Sequence, residues 1–225
     1  MSERIQKLVA EFIGTFTLIF IGGGAACVDT LTNHGIGLIG IALAHGLAIA
    51  IMVTATGPIS GGHLNPAVTI GALVGRKISF TDAVLYWISQ VLGGVAGAVL
   101  LALIFRADIW RPSIPTDLGS GVTPLTGIIT ELILSFLLVY VVYATAIDER
   151  GMFKAIAGFA IGLTITMDIL AGGPISGASM NPARSFGPAL IAGHWQNQIV
   201  YWIGPLLGGV IAGGLYSAVF LKKSS

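Results

Sequence analysis

The sequence predicts an all-α membrane protein with six transmembrane helices and two re-entrant half-helices, built as an inverted repeat of two three-helix halves. Three observations carry this. The 225 residues are 55% hydrophobic and only 9% charged, where soluble domains carry about 25% charged residues. No Lys, Arg, Asp or Glu occurs from Thr30 to Gly75 or from Ser185 to Leu221, and each stretch exceeds the roughly 20 apolar residues that cross a bilayer. Finally, GPISGGHLNPAV from Gly57 and GPISGASMNPAR from Gly173 agree at eight of twelve positions.

The spans are expected at about 8–28, 36–56, 82–105, 126–147, 153–171 and 198–221, with shorter helical pieces at about 65–75 and 181–192. The first follows MSERIQKLVAEF without a small-residue cleavage site, so it reads as a retained helix rather than a signal peptide. AEFIGTFTLIF in span one matches TELILSFLLVY in span four, aligning Glu11 with Glu131. YWISQVLGGVAGAVL in span three matches YWIGPLLGGVIAGGL in span six. The offsets are 120, 116 and 115 residues, in register along the chain. One transmembrane domain, 1–225, is thus expected, with repeats at about 1–110 and 120–225. Three spans per repeat insert the second copy upside down. Basic residues orient the chain. With the N-terminus inside, Arg4, Lys7, Arg76, Lys77, Arg150, Lys154, Lys222 and Lys223 are cytoplasmic, eight of the eleven Lys and Arg. Both termini are therefore expected in the cytoplasm, at the plasma membrane. A net charge of +1 gives no reason to expect nucleic acid, and lone Cys27 cannot form an intrachain disulfide.

Inversion gives the repeated interruption a purpose. A helix of about 10 residues rises roughly 15 Å, half the hydrocarbon thickness. Two inverted copies enter from opposite faces and can meet near the midplane. Irregular backbone at that depth must be buried in protein or line a wet cavity. Asn65 and Asn181 fit the N-cap, with Pro66 and Pro182 at the first helical position. Each Asn oxygen would cap its helix and leave the amide NH2 free to donate into a lumen. The GPISG segments read as turns.

The paired Asn-Pro-Ala motifs (Asn65, Pro66, Ala67 and Asn181, Pro182, Ala183), with Glu11, Glu131 and halves of three spans, resemble the aquaporin (major intrinsic protein) family over nearly the whole chain. Arg184 after the second motif strengthens the match. The resemblance implies a homotetramer with one pore per subunit, passive flow of water or small uncharged solutes, and no cofactor; separately, no Ser-His-Asp or Cys-His arrangement and no metal-ligand spacing in the sequence points to an enzyme or a metal site. Carbonyls of Gly61, Gly62, His63 and Leu64 would line one half of the path, and those of Gly177, Ala178, Ser179 and Met180 the other. Ile and Val of spans two and five would form its apolar wall. Two half-helix dipoles would oppose cations and protons at the centre.

Counting from the motifs, as the family does, places an outer filter at His45, Ile169, Ala178 and Arg184. Water-selective members present Phe and His at the first two positions, so this chain departs at both. The set resembles that of plant vacuolar aquaporins that pass ammonia, which implies a pore admitting ammonia and, slowly, urea or glycerol. Ser185 and Ala189 stand where glycerol-conducting members place Asp and a basic residue, which favours the water branch.

The remaining polar residues leave alternatives. Glu11 and Glu131 lie inside spans, where ionisable groups are costly. Proton relay is one role; accepting hydrogen bonds from half-helix turns is the one the resemblance favours. Asp168, read as ending span five, could orient the second loop or shape the vestibule. His34 and His194 read as solvated loop residues. The pairs Gly93–Gly97, Gly158–Gly162 and Gly209–Gly213 read as close helix packing. A gradient-coupled transporter and a poorly conducting structural protein are the competing classes.

Overall fold

The computed structural model describes residues 2–150 and 154–221. Lys222, Lys223 and residue 153, where the fifth span is expected to start, lie outside the described residues. Six helices are long and apolar enough to cross a bilayer: α1 (Glu3–Leu31), α2 (Gly37–Ser60), α4 (Phe80–Ile104), α6 (Pro124–Ile147), α7 (Ala157–Ser176) and α9 (Val200–Phe220). Two short helices, α3 (Pro66–Val74) and α8 (Pro182–Ala192), follow the repeated motifs. A further short helix, α5 (Ala107–Ser113), lies between α4 and α6.

Local chemistry sets the helix starts. The hydroxyl of Ser79 accepts from the Asp82 N–H at 3.1 Å to cap α4, and that of Thr123 accepts from the Thr126 N–H at 3.2 Å to cap α6. Pro124 then occupies the first turn of α6, where a missing N–H has no helical partner to lose. Helix α1 begins at Glu3, ahead of the expected 8, and two further boundaries differ where they bear on the site. Helices α2 and α7 run on to Ser60 and Ser176, so Gly-Pro-Ile-Ser is the last helical turn of each and not a loop. Pro58 and Pro174 each remove the bond to the carbonyl four residues back and crowd it, yet the turn closes through the Gly61 N–H to the Gly57 carbonyl at 3.0 Å and the Gly177 N–H to the Gly173 carbonyl at 2.9 Å. The chain leaves the helix at Gly61 and Gly177, with φ of +87° and +76°, a left-handed conformation that glycine adopts without the Cβ clash.

Packing repeats with the sequence. Helix α1 packs on α4 as α6 packs on α9, α4 holds α8 as α9 holds α3, and α2 and α7 pair with one another at the centre. The glycine pairs make these approaches possible. A Cβ at Gly94 would stand 2.6 Å from the Ala183 carbonyl oxygen, and one at Gly209 would meet its repeat counterpart, the Ala67 carbonyl. Gly158 and Gly162 bring α7 against the backbone of Ala50 in α2. Small residues thus let backbones touch where lipid offers no hydrophobic gain. The half-helices are thereby wedged into the bundle, N-termini inward.

Candidate permeation pathway

Each half-helix is hung from a buried carboxylate. Glu11, fully buried, accepts at Oε1 from the Ser60 hydroxyl at 2.6 Å and the His63 N–H at 2.9 Å. Its Oε2 accepts from the Leu64 N–H at 2.6 Å and Gln90 Nε2 at 2.7 Å. Glu131, also fully buried, repeats the pattern with Ser176 at 2.7 Å, the Ser179 N–H at 2.8 Å and the Met180 N–H at 2.7 Å. Tyr86 and Tyr201, 115 residues apart, donate to the carbonyls of Ser60 and Ser176 at 2.8 and 2.9 Å. These anchors hold Leu64 and Met180 at φ of +53° and +52°, which costs a non-glycine residue about 1–2 kcal/mol.

The two asparagines meet. Asn65 Oδ1 accepts from the Ala67 N–H at 2.7 Å, and Asn181 Oδ1 accepts from the Ala183 and Arg184 N–H groups at 3.0 and 3.2 Å. Contrary to expectation, neither amide NH2 is wholly free. Asn65 Nδ2 donates to the Met180 carbonyl at 2.8 Å, and Asn181 Nδ2 to the Leu64 carbonyl at 3.0 Å. Buried carbonyls need donors, and where two loops abut, the nearest donor is the opposite asparagine. One N–H of each amide is left over, and both residues line the central cavity.

That cavity has a paired wall. Leu18 and Leu138, Ile49 and Ile165, Val53 and Ile169, and His45 and Ile161 are repeat counterparts, and all eight line it. Val68 and Arg184 form a further lining pair 116 residues apart. Of the eight loop residues expected to line the path, Gly62, His63, Ala178, Ser179 and Met180 face the cavity. Gly61 lies at one mouth with Lys7 and Lys77, and Gly177 at the other. Leu64 corrects the expectation: its carbonyl already accepts from Thr15 Oγ1 at 3.1 Å and from Asn181, both lone pairs are used, and the residue is fully buried.

The four counted filter residues converge. His45, Ile169, Ala178 and Arg184 line both the cavity and, Ala178 aside, the outer mouth. His45 Nδ1 lies 2.9 Å from the Ile41 carbonyl, and its Nε2 lies 3.4 Å from Arg184 Nη2. A carbonyl only accepts, so the neutral ring carries its proton on Nδ1 and turns the Nε2 lone pair to the guanidinium. Thr116 was not anticipated. Its hydroxyl meets Arg184 Nη1 and lies 2.9 Å from Ser185 Oγ. It comes from the connection before α6, which no periodicity in the sequence ties to the motif.

Two outer residues also differ from expectation. His194 is not free in solvent: its Nε2 lies 2.9 Å from Asp117, which also accepts from Asn197 at 2.9 Å. Burial pushes the Asp117 carboxyl up, but bonds from Asn197, the Leu118 N–H and His194 outweigh it and hold the group below the usual carboxylate range. Asp168 sits two turns inside α7, because that helix runs on to Ser176. It is fully buried, lines neither described mouth, and has no hydrogen-bond partner among the described residues.

A narrow cavity through six apolar helices, closed at its waist by two capped half-helices, defines the molecule as a membrane channel. The sequence matches the major intrinsic protein family over residues 1–216. It is 46% identical over 229 residues to "Aquaporin TIP2-1" of Zea mays, covering 99% of this chain and 90% of that protein. It is 44% identical to "Probable aquaporin TIP3-2" of Arabidopsis thaliana, covering 98% and 86%. The fold is similar to the X-ray structure of the aquaglyceroporin from Plasmodium falciparum, with a TM-score of 0.86, 24% identity and 96% of each chain covered. The chain belongs to the major intrinsic protein family. It is a multi-pass membrane channel for water and small solutes, and not an enzyme.

Proposed function

We propose that this channel conducts water rapidly and ammonia beside it, passes urea and glycerol slowly, and excludes protons and ions. The observation that carries the reading is the outer constriction. One neutral acceptor, His45 Nε2, stands 3.4 Å from one fixed cation, Arg184, while Ile169 and Ala178 complete the wall without polar side-chain atoms. The wall replaces few of a solute's hydrogen bonds to water, and burying an unpaired polar group is costly; ammonia, with fewer such bonds to give up than urea or glycerol, loses least there. Cations meet the guanidinium first. At the waist they meet the N-terminal dipole ends of α3 and α8, and both effects oppose positive charge. The remaining N–H of Asn65 and of Asn181 orients water there, and the carbonyls of Gly62, His63, Ala178, Ser179 and Met180 accept along the path. Glu11 and Glu131 support the loops and carry no protons across.

The functional unit we propose is one domain spanning 1–225, with repeats at about 1–110 and 120–225, assembled as a homotetramer with a pore in each subunit. Both termini lie in the cytoplasm, at the plasma membrane. Lys7 and Lys77 gather at one mouth and support this orientation; a fluorescent C-terminal fusion tests the membrane and the side. The test of selectivity is stopped-flow shrinkage and ammonia-driven alkalinisation of proteoliposomes, comparing the parent with a His45→Phe, Ile169→His double variant. The expected result is a lower ammonia-to-water ratio in the variant. Equal ratios would remove the outer constriction from the mechanism.

A further inference from the structure

We infer that Gly22, in helix α1, is a specificity-determining position: its missing side chain is the space in which the His45 imidazole is held toward Arg184. The inference rests on the reading of His45 as a wall of the filter, and goes beyond it to the residue that permits His45 to be there.

Helix α1 is not regular. Its segment Ile19–Gly23 is a π-helical turn, after which α-helix resumes at Gly24. Such turns insert an extra residue and are frequent at functional sites; two others, Tyr143–Ile147 and Tyr216–Phe220, end α6 and α9. This one carries Gly22 against the ring of His45. A Cβ built on Gly22 would stand 2.7 Å from His45 Cε1 and closer still to Cδ2 and Nε2. Real Cβ atoms do not approach so near, so any side chain there must displace the ring. The ring has little freedom to yield. Its Nδ1 is bonded to the Ile41 carbonyl at 2.9 Å, its Nε2 faces Arg184, and the residue is 3% exposed.

The repeat shows what the position does when a side chain is present. The counterpart of Gly22, 120 residues on, is Val142, and the counterpart of His45, 116 residues on, is Ile161. Both line the cavity at its other end. There the wall is shared between two aliphatic side chains of moderate size. At the outer end one partner is reduced to hydrogen and the other is a ring that fills both places. The exchange puts a hydrogen-bonding nitrogen where the other end has only methyl groups. Gly22 is therefore a positioning residue for His45.

The experiment measures water and ammonia permeability of proteoliposomes carrying the parent, Gly22→Ala, His45→Ala and the Gly22→Ala/His45→Ala pair, with Gly24→Ala as a control. A Cβ at Gly24 makes only an ordinary contact, 3.5 Å from Leu101 Cδ2. We expect Gly22→Ala to lower water permeability about tenfold through overpacking and to change the ammonia-to-water ratio. With His45 already removed, Gly22→Ala should change neither by more than about twofold, and Gly24→Ala should match the parent. If Gly22→Ala fails to fold but the pair folds, the steric account stands. A folded Gly22→Ala that behaves as the parent overturns it. So does an equal loss with or without His45, or a failure of both variants to fold, because the obstruction would then lie elsewhere. A His45→Ala variant with the parent's ratio removes the filter reading and this inference together. An altered His45→Ala ratio beside an unaffected Gly22→Ala removes this inference alone.

Discussion

Asn65 and Asn181 each use both ends of one amide, and the two do not depend on it equally. Leu64 O, which receives Asn181 Nδ2, also receives Thr15 Oγ1. For Met180 O, Asn65 Nδ2 is the one donor found among the described residues. Replacing either asparagine by Asp keeps the cap acceptor, removes the cross-loop donor and sets a negative charge among the half-helix N-termini. Both variants should admit cations, read as current in planar bilayers; a folded variant without current would count against the dipole argument. Asn65→Asp should also be the less stable of the two in thermal unfolding, by about 1 kcal/mol, because it takes from the Met180 carbonyl the one protein donor found among the described residues, whereas the Leu64 carbonyl keeps Thr15. At this scale the sequence marked the residues well, since Asn-Pro twice over and two acids inside apolar spans stand out against their surroundings. It did not mark their partners. That the asparagine amides cross to the opposite loop, or that Gln90 donates to Glu11, depends on contacts between distant segments.

Among the elements, the half-helices depend on glycine more than on their own propensity. Gly209→Ala would press a methyl into the Ala67 carbonyl, and Gly94→Ala would do the same to Ala183. Backbone in a wedged helix cannot give way, so each should cost about 1–3 kcal/mol, seen as a lower melting temperature in detergent. The connection 114–123 is a second case. It brings Thr116 to Arg184 and is tied down by Asp117 to His194 and Asn197, and by the Gly119 N–H to the Ile175 carbonyl at 2.8 Å. The Asp117 carboxyl is held below its ordinary value. Its contribution is therefore complete above the unfolded value of about 3.9 and is lost as pH falls through the folded one. Amide protection in residues 114–123, read relative to the intrinsic exchange rate at each pH, should be high near neutral pH and fall in acid, below the ordinary carboxylate range. Asp117→Ala should show the lowered protection already at neutral pH. Equal protection in the variant and the parent would mean that the loop is held by other contacts. Helix existence was legible from apolar runs and caps. The helical Gly-Pro-Ile-Ser turns and the π-helical turn of α1 were not, because proline and glycine read locally as breakers while the surrounding bundle decides whether they break anything.

The whole molecule sets an asymmetric lining on a nearly symmetric frame. The counterparts of His45, Ile169, Ala178 and Arg184 are Ile161, Val53, Gly62 and Val68, and all eight line the cavity. At these four positions one end of the pore is therefore charged and polar, and the other apolar, although the backbones that present them are related by the repeat. A His45→Ile, Arg184→Val double variant would give the outer end the inner end's chemistry. It should keep water permeability within about tenfold of the parent while raising glycerol and ammonia flux relative to water, since the polar contacts that discriminate are gone. An unchanged solute ratio would place the selective step elsewhere along the path.

What the sequence determined by itself was the class of molecule, the number of spans, the pairing of its halves and the motifs at the waist. Apolar length, charge asymmetry and repetition are properties of consecutive residues, and the bilayer reads them directly. Tertiary structure decided how the pore is finished. Thr116 against Arg184, Gly22 against His45, and the burial of Asp168 all arise where segments far apart in the chain meet at close packing. Such meetings turn on ångström-scale fit and on which buried polar group has a donor within reach, and no local pattern of residues encodes either.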